Sequence, residues 1–246
     1  MPAWETFGTV SLAESDALTA LASITAGSVD AVIIDPPYCS GGFTEKDRVN
    51  ASGHMSVRSL NWFRNDNMTT TGLVWLLRSV ALEAHRTLKD GGSLCVFCDW
   101  RMTAALAPAL ESSGLRWRNM VVWDKCFMGM GSGPFRPRHE IILHFLKGKG
   151  MTGASCVGNV IAEKRMSVKA KRHATEKPQA LLETLIRATT PEGGTVVDVF
   201  AGSGSLAEAA ISTGRRAIIS EISASHIQTA RERIKQKISE ADLLAG

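Results

Sequence analysis

The sequence predicts an α/β protein on a doubly wound, mostly parallel sheet with one antiparallel strand pair, and three observations predict it. Short apolar runs of strand length alternate with helical stretches, the pattern of successive β–α–β units. Two of those runs end in turn-forming segments: Ala31-Val32-Ile33-Ile34 enters Asp35-Pro36-Pro37-Tyr38, and Val196-Val197-Asp198-Val199-Phe200 enters Ala201-Gly202-Ser203-Gly204-Ser205. Trp117 to Trp123 and Ile141 to Phe145 flank an irregular stretch, as an antiparallel pair does. At 246 residues and 44% hydrophobic, the chain fits a single domain, 1–246, with a sizeable core.

In chain order, Ala17 to Ile24 reads as a short helix and Asp30 to Ile34 as a strand. Leu73 to Leu88 is amphipathic and stops at Lys89-Asp90-Gly91-Gly92, a helix-ending sequence. Ser93 to Phe97 is the next buried strand, and Met102 to Ser112 is helical. Pro178 to Thr189 opens with proline in the first turn, where the missing N–H is tolerated. After the glycine turn a helical pattern begins at Leu206, Arg216 to Ser220 is a strand ending in Glu221, and Ala224 to Leu244 is a long helix charged on one face. Three segments stand out as insertions: 39–67, 129–138 and 151–173.

Asp35-Pro36-Pro37-Tyr38 has the make-up of a pocket for an exocyclic amino group. Such a nitrogen is a poor nucleophile because its lone pair is delocalised into the ring, and acceptors on both N–H groups would draw it toward tetrahedral geometry. Asp35 offers a carboxylate and Pro36 a backbone carbonyl, while the prolines stiffen the turn and remove competing donors. Tyr38, the only tyrosine, could stack on the ring. A plain strand-terminating turn would use the same residue types.

Strand, glycine turn and helix from Val196 to Leu206 bring the backbone close to a ligand and point a helix start at an anionic group. A tight turn alone would also use these glycines. Glu221 follows roughly 20 residues on, where an acidic side chain would accept from ribose hydroxyls; it would equally serve as a charge at the start of the last helix.

These residues resemble the DNA amino-methyltransferases that use S-adenosyl-L-methionine, in the permuted group whose catalytic motif precedes the cofactor motif. The resemblance runs from Ser15-Asp16-Ala17 through Asp35-Pro36-Pro37-Tyr38 and His173-Ala174-Thr175-Glu176-Lys177-Pro178 to Phe200-Ala201-Gly202-Ser203-Gly204. It implies a Rossmann-like fold with the strands of Asp35 and Asp198 adjacent at the switch point. It implies Asp16 and Ala17 near the cofactor adenine, Glu221 on its ribose, and Phe200, Ala201, Gly202, Ser203 and Gly204 holding the methionine part near Lys177, with Asp35 and Asp198 also facing the cofactor. Pro36, Pro37 and Tyr38 join Asp35 as the catalytic set, acting on a base flipped out of the duplex. An aspartate in first position goes most often with adenine N6; cytosine N4 is the alternative. An RNA or protein-amide methyltransferase and a non-catalytic DNA-binding relative are the remaining readings.

The net charge of +4 decides nothing about nucleic acid, but its distribution says more. Lys164, Arg165, Lys169, Lys171 and Arg172 cluster before Lys177, and Arg136 and Arg138 flank Pro137. Arg48 and Arg58 sit in the long segment after the catalytic turn. All are expected DNA contacts, although a solvated basic loop would look alike. His139-Glu140 is expected on a sheet edge, structural or touching DNA backbone rather than catalytic. A homodimer would suit a palindromic site on double-stranded DNA.

No stretch has the length to span a bilayer, and Met1-Pro2-Ala3-Trp4-Glu5 lacks the form of a secretory leader, so a cytoplasmic, nucleoid-associated location is expected. Five scattered cysteines suggest reduced thiols. Cys95 and Cys98 have zinc-like spacing, but strand alternation puts their sulfurs on opposite faces, and no metal is expected.

Overall fold

A computed structural model describes residues 1–37, 69–129, 134–150, 153, 155–164 and 176–245. Its strands are β1 (Glu5–Phe7), β2 (Val10–Glu14), β3 (Val29–Ile34), β4 (Leu88–Cys98), β5 (Arg116–Asp124), β6 (His139–Leu146), β7 (Val160–Ala162), β8 (Thr195–Asp198) and β9 (Arg216–Glu221). The helices are α1 (Ala17–Ser23), α2 (Thr70–Thr87), α3 (Thr103–Glu111), α4 (Gln179–Thr189), α5 (Ser205–Ser212) and α6 (Ala224–Ala245).

All nine strands join one sheet in the order β1-β2-β9-β8-β3-β4-β6-β5-β7. From β2 to β4 the neighbours are parallel, β6 runs antiparallel to both β4 and β5, and β7 is parallel to β5. The expected antiparallel pair is therefore present, extended to Arg116–Asp124 and His139–Leu146. Ala31 pairs with Val196, so the strands leading to Asp35 and Asp198 are neighbours as the resemblance implied.

Alternation along β3 shows how the sheet is buried on both sides. Val32 and Ile34 pack with α1, α2 and α3, whereas Ala31 and Ile33 pack with α4, α5 and α6. The helices present apolar stripes at the matching period: Leu73, Leu77, Val80, Ala81 and Ala84 on α2, and Leu181, Leu182, Leu185 and Ile186 on α4. Each large apolar side chain buried this way contributes about 1.5–3 kcal/mol. Cys98 belongs to the first face and Cys95 to the second, as strand alternation predicts. Burial pushes both thiols up to about 12, and for Cys98 the charges of Asp99 and Glu140 add to that while the Thr103 hydroxyl opposes it.

Several boundaries differ from the sequence reading, each for a local reason. Helix α2 starts three residues early because the Thr69 hydroxyl accepts from Gly72 N–H at 3.1 Å. It ends at Thr87, and strand pairing begins at once, since Val29 lies opposite Leu88. Gly92 sits where a Cβ would lie 2.9 Å from the Lys89 carbonyl and 3.0 Å from that of Asp30, which explains a glycine there. Pro178 caps α4 rather than lying in its first turn, and β8 stops at Asp198, before Phe200. Strands β1, β2 and β7 were not expected; β7 falls inside the presumed insertion 151–173.

At the amino ends of the strands, Asp30 is 2% exposed. Its two carboxylate oxygens accept from Lys89 Nζ and Thr195 N–H, both at 2.8 Å, tying β3, β4 and β8 together.

Candidate active site

The carboxyl ends of β2, β3, β8 and β9 converge on one edge of the sheet, and the first residues of antiparallel β6 arrive there too. Beside β3 and β8 opens a cleft lined by Asp35, Phe97, Glu176, Lys177, Asp198, Phe200 and the glycine turn 201–203.

Extended β3 delivers Asp35 to the cleft, with Pro36 buried behind it. Lys177 Nζ lies 2.8 Å from Asp35 Oδ2 and 3.1 Å from Glu140 Oε2, and the other Glu140 oxygen holds Lys125 Nζ at 2.6 Å. The Lys177 ammonium also stands 5.0 Å from the centre of the Phe97 ring, a cation–π distance. Burial pulls the Lys177 amine down, but the two carboxylates outweigh it and hold the pKa above the usual lysine value. Burial likewise pushes Glu140 up, and Lys177 and Lys125 overcome it to hold the carboxyl at about 2. Both groups therefore stay charged near neutrality. Glu140 corrects the sequence reading: β6 is not an edge strand but lies between β4 and β5, and its second residue reaches the site.

Asp198 ends β8 and accepts from Phe200 N–H at 2.9 Å. Burial, with the nearby charges of Asp35 and Glu221, pushes it up to about 8 against that hydrogen bond. The turn after it is shaped by two glycines in the left-handed region. At Gly202, φ is +50° and no heavy atom lies within 4 Å of where a Cβ would stand, so the turn faces open space. At Gly204, φ is +81° and a Cβ would come within 3.0 Å of the Ala230 Cβ, so glycine lets α5 start against α6.

Glu221 ends β9, and its two oxygens accept from Gly202 N–H and Ser223 N–H, each at 2.9 Å. It thus links the glycine turn to the start of the last helix, the second of the two roles open to it from sequence. Ser15 N–H donates to the Glu221 carbonyl at 3.0 Å, which sets the loop before α1 beside β9. Asp16 then caps α1, accepting from Leu18 and Thr19 N–H at 3.1 and 2.9 Å, with Ala17 buried behind. Partial burial pushes the Asp16 carboxyl up, and its hydrogen bonds bring it below the usual range.

Beneath the turn lies an anchor that the sequence reading missed. Arg233 of α6 pairs with Glu176 and, at 2.5 Å, with Glu208; it donates to the Ser203 hydroxyl at 3.0 Å and to the Ser205 hydroxyl at 3.1 Å. The charged pattern of α6 was visible, but one buried arginine among exposed charges carries no distinguishing local signal.

Of the expected DNA contacts, Arg136, Arg138 and Lys164 are exposed along the same edge of the sheet. Arg138 donates to both oxygens of Asp124, at 2.6 and 2.8 Å, bracing the base of the β5–β6 connection. Tyr38, Arg48, Arg58, Arg165, Lys169, Lys171 and Arg172 lie outside the described residues, as does all of 39–67. No group of three His, Cys, Asp or Glu side chains suited to a metal occurs among the described residues. No helix among them is long and apolar enough to cross a membrane.

A mostly parallel sheet with an acidic, glycine-turned cleft at its carboxyl edge is the Rossmann-like arrangement in which nucleoside-bearing ligands bind. The family model described as DNA methylase, covering N6 and N4 enzymes, matches residues 29–155 and 153–232. The chain belongs to this family of DNA amino-methyltransferases. It is 27% identical to the type II methyltransferase M.HpaI of Haemophilus parainfluenzae over 93% of this chain and 75% of that protein. Among solved structures, M1.HpyAVI in complex with SAM superposes with a TM-score of 0.66 at 20% identity, over 92% of this chain and 98% of the other. The cytosine-N4-specific PvuII DNA methyltransferase superposes with a TM-score of 0.72 at 16% identity, over 95% and 92% of the two chains.

Proposed function

We propose that the protein transfers a methyl group from S-adenosyl-L-methionine to the N6 amino group of adenine within a specific sequence of double-stranded DNA. The observation that carries this is the placement of Asp35, held by Lys177, in one cleft with Asp198 and the glycine turn. When bound, the cofactor supplies an activated methyl: the nitrogen–carbon bond forms as the carbon–sulfur bond breaks, its electron pair goes to sulfur, and the nitrogen releases its extra proton to water. Asp35 and the Pro36 carbonyl accept from the target amino group, and positioning with preorganised charge lowers the barrier. Tyr38 stacks on the flipped base.

The residues fit that cofactor. Gly202 faces open space, and Asp35 and Glu221 suit a ligand bearing a sulfonium and an ammonium, whose positive charge would also draw the raised Asp198 toward its carboxylate form. Asp198, Phe200 and the turn from Ala201 to Gly204 would hold the methionine part, with Asp16, Ala17 and Glu221 toward the nucleoside. Exposed Arg136 and Lys164 would contact duplex phosphates, and a homodimer would match a palindromic site.

Adenine is favoured by the aspartate that leads the Asp-Pro-Pro-Tyr turn, although the acceptor geometry would serve cytosine N4 as well. The test is transfer of labelled methyl to duplex DNA followed by nucleoside analysis, with Asp35→Ala alongside. N6-methyladenine that disappears in the variant supports the reading; N4-methylcytosine keeps the mechanism and replaces the base. Binding of the cofactor with no transfer to any DNA would refute it.

A further inference from the structure

We infer that Glu140 is a positioning residue for methyl transfer, holding the Lys177 ammonium in a fixed direction so that Asp35 can accept from Lys177 and from the target amino group together. This rests on the activity proposed above. Four charges from four separate segments alternate across the site: Asp35 after β3, Lys177 before α4, Glu140 at the start of β6 and Lys125 just after β5. The Lys177 side chain is 7% exposed and that of Glu140 18%, so water screens their pairing little.

The physical argument concerns how lone pairs are shared. A carboxylate offers about four acceptor positions on two oxygens. An ammonium with one carboxylate partner settles wherever that single attraction is strongest, and it competes with any substrate N–H for the same oxygens. With a second carboxylate 3.1 Å away, the Lys177 ammonium is drawn between the two and its approach to Asp35 is fixed from one side. The two ammonium and two carboxylate groups also cancel, so the cluster brings no net positive charge against the cation that forms on the attacked nitrogen in the transition state. Register supports the placement: Glu140 lies opposite Trp123, and Cys98 at the end of β4 lies opposite Ile141.

Glu140→Gln keeps the shape and an acceptor oxygen but removes the charge. In the full chain, kcat for transfer to duplex DNA is expected to fall about tenfold to a hundredfold, the scale of a misdirected catalytic group, while KM for cofactor and for DNA each stay within about twofold. Each variant is assayed well below its own unfolding temperature. Should Glu140→Gln not fold, Glu140→Asp keeps the charge one methylene further back and is expected to lose kcat with KM retained. A kcat within about twofold of native, or a loss confined to KM for the cofactor, overturns the inference while leaving the activity intact. A native chain that transfers no methyl overturns the activity and the inference together.

Discussion

Replacing Arg233 with methionine tests whether the glycine turn is held from below. The arginine is 6% exposed and the Glu176 side chain it pairs with is 1% exposed. Methionine fills much of the volume but leaves the Glu176 carboxylate buried without that partner. Removing one member of a buried ion pair costs about 3–5 kcal/mol, and the Glu208, Ser203 and Ser205 contacts go with it. At about 2–4 °C per kcal/mol for a chain of this size, Tm should fall by about 6–20 °C. Thermal unfolding followed by circular dichroism, with and without S-adenosylmethionine, reads both consequences. The rise in Tm on adding cofactor should shrink, because the turn it binds has lost its support. Arg231→Met is the control: its pair with Glu5 is solvent-facing and Tm should move by less than about 4 °C. An Arg233→Met chain that melts within about 3 °C of native would refute the anchoring argument.

Three further outcomes follow from groups already described. Asp198 is raised to about 8, so its stabilising effect is fully present below the unfolded carboxylate range near 4 and is lost as pH rises through about 8. Asp198→Asn should therefore raise the Tm of the cofactor-free protein at pH 8 while weakening cofactor binding about tenfold or more; calorimetric titration showing native affinity would contradict this. Asp30→Ala leaves the buried Thr195 N–H unpaired at the far end of the sheet, so stability should drop by about 1–3 kcal/mol in urea unfolding with kcat unchanged at low temperature. Among the cysteines of the described residues, iodoacetamide should modify exposed Cys126 and Cys156 in the native protein, and Cys95 and Cys98 only on unfolding, as mass spectrometry of peptides would show.

Much of the architecture was legible because it is written in local patterns. The run Ala31 to Ile34 followed by Asp-Pro-Pro-Tyr, and the run ending at Asp198 followed by Gly202 and Gly204, announce strands and turns through residues that are neighbours in the chain. The helical stripes of α2 and α4 are legible for the same reason. Short strands were not: β1 and β7 are three residues each, and β2 becomes a strand because β9 lies beside it.

Which distant charges meet is settled by the arrangement of strands and helices in three dimensions. Glu140 looked like a residue of a sheet edge, yet strand order puts β6 inside the sheet and carries its carboxylate to Lys177 and, through it, to Asp35. Arg233 and Glu176 are 57 residues apart and meet because α6 crosses behind the glycine turn. The α/β class, the two motif-bearing strand ends and the acids they present can be read from the chain alone, since propensity, hydrophobic period and turn chemistry act over a few residues. Ion pairs between separate segments depend instead on strand order and helix placement, which the whole chain settles through long-range burial, and no short stretch of sequence carries that information.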